Sequence, residues 1–146
     1  MKNKRKLKII KYNQKILERL NITKEDYEVY KSLKEFNEKY KTNIDFDCEQ
    51  VRISGMKIEK DGLELLSKLK YVKRLHLYWN QLLDINIISK FENLIKLVIG
   101  ENGITNIDIL DNDNFKNLKV LDLSGNCISN INLLEKVYRI RRIIFE

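Results

Sequence analysis

Three stretches of the chain repeat one order of hydrophobic and polar positions. They are LHLYWNQLLDINII at residues 75–88, LVIGENGITNIDIL at 97–110 and LDLSGNCISNINLL at 121–134. In each stretch the first and third residues are aliphatic, the sixth is Asn, and aliphatic residues return at the eighth, eleventh and fourteenth positions. Successive copies begin 22 and then 24 residues apart. A period of this length indicates one structural unit that is repeated along the chain.

The pattern predicts a short parallel strand in each copy. Side chains of a strand alternate between its two faces, so Leu75 and Leu77 point inward while positions 74, 76 and 78 point outward. After the strand, an inward Asn can form hydrogen bonds with backbone groups that the turn leaves without partners. We therefore predict that Asn80, Asn102 and Asn126 stack in a buried column.

Two incomplete copies flank these three. The apolar positions that they keep are Cys48, Val51, Ile53 and Ile58 before the array, and Val137, Ile140, Ile143 and Phe145 after it. Met56 stands in the first of them where the other copies have Asn. Because one copy cannot bury its apolar side alone, the copies are expected to stack on one another.

This motif resembles the leucine-rich repeats, specifically the short class of about 22 residues that occurs in internalins and in a regulatory subunit of a protein phosphatase. The resemblance covers roughly residues 46–146. It implies an α/β fold, a short solenoid over residues 44–146 with a parallel sheet of about five strands. The chain departs from the motif at Met56, in EKDGLELLSKL after Ile58, and at DNDN (111–114), which lengthens one repeat by two residues.

Residues 1–43 are predicted to form a basic arm and a helical cap, in one structural unit with the solenoid. Thr23 followed by Asp26 resembles a capping box, which marks the start of a helix. Apolar residues then recur at helical spacing, at Val29, Leu33, Phe36 and Tyr40. A second, shorter helix is predicted over residues 9–20. Both helices would cover the apolar end of the first repeat.

The net charge of +7 is concentrated before the repeats. Residues 1–43 hold 13 of the 28 Lys and Arg and 6 of the 21 Asp and Glu, which leaves 15 of each sign in residues 44–146. The cations nearest the start of the chain are candidates for binding nucleic acid, namely Lys2, Lys4, Arg5, Lys6, Lys8 and Lys11. A solvated face of a helix is the simpler explanation of the same residues.

The chain offers few residues for catalysis. His76 is its only histidine, and Asp122, which shares its column on the predicted sheet, lies two strands away, about 10 Å. That is too far for a direct hydrogen bond, so no catalytic triad is predicted. DNDNF has Phe115 where a calcium loop needs its third ligand, and glycine-rich phosphate loops are absent. We expect neither an enzyme, nor a cofactor, nor a metal.

Composition favours a cytoplasmic protein. Lys8 and Lys11 interrupt what would otherwise be the apolar core of a signal peptide, and no apolar run is long enough to span a bilayer, so no membrane partner is expected. Cys48 and Cys127 form no disulfide framework. They fall three strands apart, about 14 Å, whereas the Cα atoms of a disulfide lie within about 7 Å, so we predict two free thiols.

Binding is the remaining function, and solenoids bind with the concave face of their sheet. Trp79, the only tryptophan, and Tyr78 lie at the end of one strand, and both residue types are enriched at interface hot spots. Trp79 could instead pack flat over a turn. The predicted partner-binding residues are Arg52, Arg74, His76, Tyr78, Trp79, Lys96, Val98, Asp122 and Arg142.

The sequence therefore predicts an adaptor or stoichiometric inhibitor of an intracellular protein, a role that the resemblance to the repeat family also implies. The alternative is a binder of nucleic acid or of a ribonucleoprotein, such as an inhibitor of a nuclease, a toxin or an anti-phage complex, that uses the basic arm.

Five strands of about five residues give a sheet of roughly 320 Å², whereas a standard interface needs about 800 Å² per partner. A tight partner should therefore also touch the rim loops, the N-terminal helices or a second copy. Because Ile140–Phe145 form an edge strand flanked by cations, we expect a monomer or a weak dimer.

Overall fold

The computed structural model describes residues 22–136 and 140–145, and its centre is a parallel sheet of five short strands. Each strand pairs with the next one along the chain, so the sheet order equals the sequence order. The strands are β1 (Gln50–Arg52), β2 (Arg74–His76), β3 (Lys96–Val98), β4 (Val120–Asp122) and β5 (Arg142–Ile144). The predicted five-stranded parallel sheet is thus confirmed. The predicted helix at 9–20, the six cations of the arm and Val137 lie outside the described residues.

Helical segments connect the strands and form the second layer of the molecule. They are α1 (Lys24–Tyr40) before the sheet, α2 (Lys60–Ser67), three 3-10 helices (Asn86–Lys90, Asp108–Asp111 and Asp113–Phe115) and α3 (Asn132–Lys136). The structure explains why the stretch EKDGLELLSKL departs from the repeat spacing. This stretch contains the α-helix α2, which buries Leu63 and Leu66. The two extra residues around DNDN are accommodated by an additional 3-10 turn. Among the described residues, no helix is both long enough and apolar enough to cross a membrane.

The core lies between the sheet and the helical layer. Val51, Leu75, Leu97 and Leu121 are in register on neighbouring strands, and none of the four is accessible to solvent. Two positions of the apolar template are exposed, Ile131 at 48% and Phe145 at 39%. Four others are only half-buried, namely Cys48, Ile128, Leu134 and Ile143. The two exposed positions lie in the last two coils of the described part, which contain β4 and β5.

The predicted asparagine column is present and joins consecutive coils. The amide groups of Asn80 and Leu82 donate to the side-chain oxygen of Asn102 at 2.8 and 3.1 Å. The Asn102 side-chain nitrogen donates to the carbonyl oxygens of Leu77, Ile99 and Gly100, each at 2.9 Å. Asn80 and Asn126 bond their preceding coils in the same way. Only Asn80 and Asn102 are fully buried, whereas Asn126 is half-buried, so the prediction of burial was wrong for the last member.

Helix α1 begins with the predicted capping box. The Asp26 amide donates to the Thr23 hydroxyl at 3.0 Å, and the Thr23 amide donates to the Asp26 carboxylate at 3.2 Å. Lys70 Nζ also lies 2.8 Å from Asp26 Oδ1, so the same carboxylate ties α1 to the turn before β2. At the other end, the Asn37 side chain bonds both backbone groups of Ile44 at 2.9 Å. The helix is thereby fixed over the first coils.

Candidate functional site

The side of the sheet that faces away from the helical layer carries the residues that the sequence predicts for binding. Strand pairing arranges them in two rows, which together we call the exposed sheet face. The first row is Gln50, Arg74, Lys96, Val120 and Arg142, and the second row is Arg52, His76, Val98, Asp122 and Ile144. Seven of the nine predicted partner-binding residues therefore share one surface, and Tyr78 and Trp79 follow at the end of β2.

The exposed sheet face is rich in cations. Arg74, Lys96 and Arg142 stand in the first row and Arg52 in the second, whereas Asp122 is the one carboxylate in the two rows. The ion pairs of the described residues are Lys39–Glu59, Lys70–Asp26, Lys73–Glu49 and Lys90–Glu64. None of these pairs uses one of the four cations on the face.

His76 and Asp122 lie on either side of Val98, two strands apart, as predicted. Partial burial lowers the pKa of His76, and the charges of Lys96 and Arg52 lower it further, against a smaller opposing effect of Asp122. His76 is therefore neutral at pH 7. The Asp122 carboxylate accepts hydrogen bonds from the amide and the hydroxyl of Ser124, at 3.1 and 2.7 Å. Asp122 therefore receives its hydrogen bonds from Ser124 and affects His76 only through its charge.

Val98 is less available than its outward position suggests. It points away from the helical layer but is only 8% exposed, because it lies between the longer side chains of His76 and Asp122 on the adjacent strands. Val98 therefore contributes little exposed surface to the face, and its contact with a partner stays a prediction.

Trp79 owes its orientation to the backbone and to a glycine in the neighbouring coil. Its φ angle is 56°, in the left-handed region that residues with a side chain rarely adopt, so the chain turns sharply after Tyr78. The indole ring lies over Gly55, where an added methyl carbon would be 3.2 Å from Cε3 of the ring. Trp79 nevertheless remains 66% exposed. The Trp79 side chain therefore packs over a turn and still leaves most of its surface available to a partner.

Two more large side chains of the same coil lie against glycines of the next coil. A methyl carbon added to Gly100 would be 3.2 Å from Cδ2 of Tyr78, and one added to Gly103 would be 3.4 Å from Cδ2 of Leu83. Tyr78 is 40% exposed and Leu83 is 73% exposed. We call Tyr78, Trp79 and Leu83 the apolar rim.

Sequence reasoning did not identify Leu83. It occupies the ninth position of the repeated stretch, where the next two copies have Thr105 and Ser129. An aliphatic residue at a position that is polar in the other copies was the available signal. Its exposure shows that it does not serve the core.

The helical side of the molecule has a groove of about 580 Å³ between α2 and the 3-10 helix Asn86–Lys90. Its apolar lining consists of Ile58, Leu63, Leu82, Leu83 and Ile87, so Leu83 of the apolar rim also borders this groove. The lining residues Lys90 and Glu64 form an ion pair of 2.7 Å. In the described part of the chain, no group of three His, Cys, Asp or Glu residues is placed to hold a metal ion.

The two cysteines differ in exposure: Cys48 is half-buried, whereas Cys127 is exposed. Cys48 and Cys127 are both free thiols, as predicted. Burial, together with the nearby charges of Asp45 and Asp47, raises the pKa of Cys48 to about 11. The Cys48 thiol is therefore protonated at neutral pH, which makes it a poor nucleophile.

Comparison with known proteins supports the repeat architecture. Residues 92–136 match the family model of leucine rich repeats in two copies. An internalin from Listeria monocytogenes strain 4b F2365 has a similar structure, with a TM-score of 0.56 and 28% sequence identity, and the match covers 76% of this chain. The chain spans 29% of the length of that internalin. The comparison with curated proteins gives no match.

These findings confirm the resemblance to leucine-rich repeats and the fold class, a short α/β solenoid with a helix before its first strand. Domains of this kind are generally non-catalytic binding modules, and solenoids bind along extended surfaces formed by their stacked repeats.

Proposed function

We propose that this short leucine-rich-repeat solenoid binds another protein through the exposed sheet face and the apolar rim, and acts as an adaptor or a stoichiometric inhibitor without catalysis. The observation that carries the proposal is the apolar rim. Three large side chains remain exposed on one coil, although each rests against a glycine of an adjacent coil. Trp and Tyr together with Arg dominate the residues that contribute most to protein interfaces.

The proposal includes the cytoplasmic location predicted from the sequence. Its support is that Cys48 and Cys127 are both free, the state in which a reducing compartment keeps thiols.

Site-specific crosslinking tests the proposed function. Benzoylphenylalanine replaces Tyr78 in one variant and Tyr71, an exposed aromatic residue outside the apolar rim, in a matched control. After irradiation in an extract of the native cell, we expect a protein adduct from position 78 and none from position 71. Adding Trp79→Ala to the first variant should weaken binding by at least about 2 kcal/mol, roughly 30-fold, because a hot-spot side chain is lost.

Nuclease treatment of the extract separates the two functions predicted from the sequence. The adduct at position 78 should survive this treatment if the partner is a protein. Equal adducts at positions 71 and 78 would contradict the proposal. Loss of the position-78 adduct after nuclease treatment would replace it with the alternative, a nucleic-acid or ribonucleoprotein partner.

A further inference from the structure

We infer that the partner is a protein that presents an acidic segment to the cations of the exposed sheet face and an apolar side chain to the apolar rim. The inference rests on the proposed function and specifies the chemistry of its partner.

The charge of the exposed sheet face is the first argument. Arg74 and Lys96 are direct neighbours in register, about 4.8 Å apart, and Arg142 stands two strands further along the same row. Like charges that face each other on neighbouring strands repel, and no ion pair of the described residues contains Arg74 or Lys96. Glu49 acts electrostatically on Arg74, but its carboxylate is paired with Lys73 at 2.8 Å. Carboxylates of a partner would supply the missing counter-charges.

The carboxylate already on the face does not supply them. Asp122 belongs to the second row and is held by two hydrogen bonds from Ser124. Lys119 and Arg141, which directly precede β4 and β5, are exposed and extend the cationic region at the same ends of the strands. Glu49, which directly precedes β1, is the one carboxylate at these positions and is paired with Lys73, so cations are in excess at this end of the described strands.

A protein fits this face better than a nucleic acid does. Val98 and Val120 on β3 and β4, together with Ile144 on the edge strand β5, make this part of the face apolar, and Asp122 places a negative charge among them. A phosphate backbone carries charge at every nucleotide and would bring phosphates toward this carboxylate. A polypeptide can place carboxylates at the cations and leave apolar or hydrogen-bonding groups opposite Val120 and Asp122.

The separation of the two regions sets the length of the segment. Arg74 begins β2 and Tyr78 follows its end, so the cationic row and the apolar rim are four positions apart along the chain. At about 3.3 Å per residue, this distance is about 13 Å. An extended segment that crosses the face along the strands would therefore have its acidic and apolar residues about four positions apart.

A labelled synthetic peptide provides the probe. It carries a run of glutamates and, about four residues further on, Phe-Leu, and its binding to the intact protein is followed by fluorescence anisotropy. Two control peptides replace either the glutamates with glutamines or Phe-Leu with Ser-Ser. A single-stranded oligothymidylate of equal charge tests the nucleic-acid alternative.

Paired variants show where the peptide binds. Arg74→Gln combined with Lys96→Gln should weaken its binding by about tenfold or more, since two charge contacts are lost. Trp79→Ala should weaken it as well. Lys31→Gln combined with Lys116→Gln, which removes two exposed cations outside the face, should have no effect. Each control peptide should bind more weakly than the complete peptide.

Several outcomes would overturn the inference: no binding of the complete peptide, equal binding of the glutamine peptide, equal binding to the Arg74/Lys96 variant, or tighter binding of the oligothymidylate. The crosslink at position 78 distinguishes this failure from failure of the proposed function. If the protein adduct at position 78 persists in the Arg74/Lys96 variant with undiminished yield, the proposed function stands and the acidic segment is wrong. If no protein adduct forms in the parent protein, the proposed function itself fails.

Discussion

Asn102 is the side chain that most directly joins the coils. It takes part in five hydrogen bonds with backbone groups of its own and the preceding coil. We expect Asn102→Ala to lower the free energy of unfolding by on the order of 1–3 kcal/mol, because buried amide and carbonyl groups lose their partners. Asn126→Ala should cost less, since Asn126 is half-buried and water can replace part of its bonds.

Urea unfolding followed by circular dichroism measures both variants. Asn106→Ala is the matched control, because its side chain is exposed and bonds within its own turn, to the amide of Asp108. An Asn126→Ala variant that is as destabilised as Asn102→Ala, or a control that equals either of them, would contradict this order.

At the residue scale, the sequence predicts the placement of side chains that have the same role in every copy. It does not predict the placement of side chains that depend on contacts with one particular neighbouring coil. The shared offset of Asn80, Asn102 and Asn126 was enough to predict their column. The orientation of Trp79 was not predictable, because it results from a left-handed backbone and from the absence of a side chain at Gly55. Leu83 was missed for a different reason, because it falls outside the apolar positions that the copies share.

At the element scale, the start of α1 offers a direct test. Thr23→Ala removes one half of the capping box and should lower the free energy of unfolding by about 1 kcal/mol. Thermal or urea unfolding measures this, with Thr105→Ala, an exposed turn residue, as the control that should change stability by less than about 0.5 kcal/mol. Equal destabilisation by the two changes would show that the cap has no specific role.

The Asp26 carboxylate at the start of α1 makes the stability of the protein depend on pH. Partial burial raises its pKa, but hydrogen bonds from Lys70 and Thr23 outweigh that effect and leave the pKa below the ordinary 3.8. The unfolded chain therefore binds this proton more readily than the folded protein does. The stabilisation is present above about pH 4 and is lost as the pH falls through the lower pKa of the folded state.

The repeat pattern predicts the positions of the strands but neither their length nor helix α2. The copies around Asn102 and Asn126 gave the strands correctly, but β1 to β5 have three residues each rather than about five. Strand length is set by where the backbone turns toward the next coil, and that turn uses left-handed residues such as Trp79 and Glu101, which are not glycines. Helix α2 was not predicted because its apolar spacing departs from that of the copies.

At the scale of the whole molecule, the short strands limit the area of the exposed sheet face. Five strands about 4.8 Å apart and three residues long give roughly 190 Å², well below the roughly 800 Å² that each partner contributes to a standard interface. A stable complex must therefore extend beyond the strands. The apolar rim continues the face at the carboxyl end of β2, which is why the proposed site includes both.

The asparagine column further predicts how local destabilisation spreads through the molecule. Each coil of a solenoid depends mainly on its direct neighbours. Asn126 accepts hydrogen bonds from the amides of Asn102 and Ile104, whereas Asn80 accepts those of Met56 and Ile58. In the Asn126→Ala variant, the amides of Asn102 and Ile104 lose their acceptor, so their hydrogen exchange should be faster than in the parent protein. The amides of Met56 and Ile58 keep their acceptor and should exchange at nearly the parent rate. Uniform acceleration at all four amides would instead mean that the coils open together as one cooperative unit.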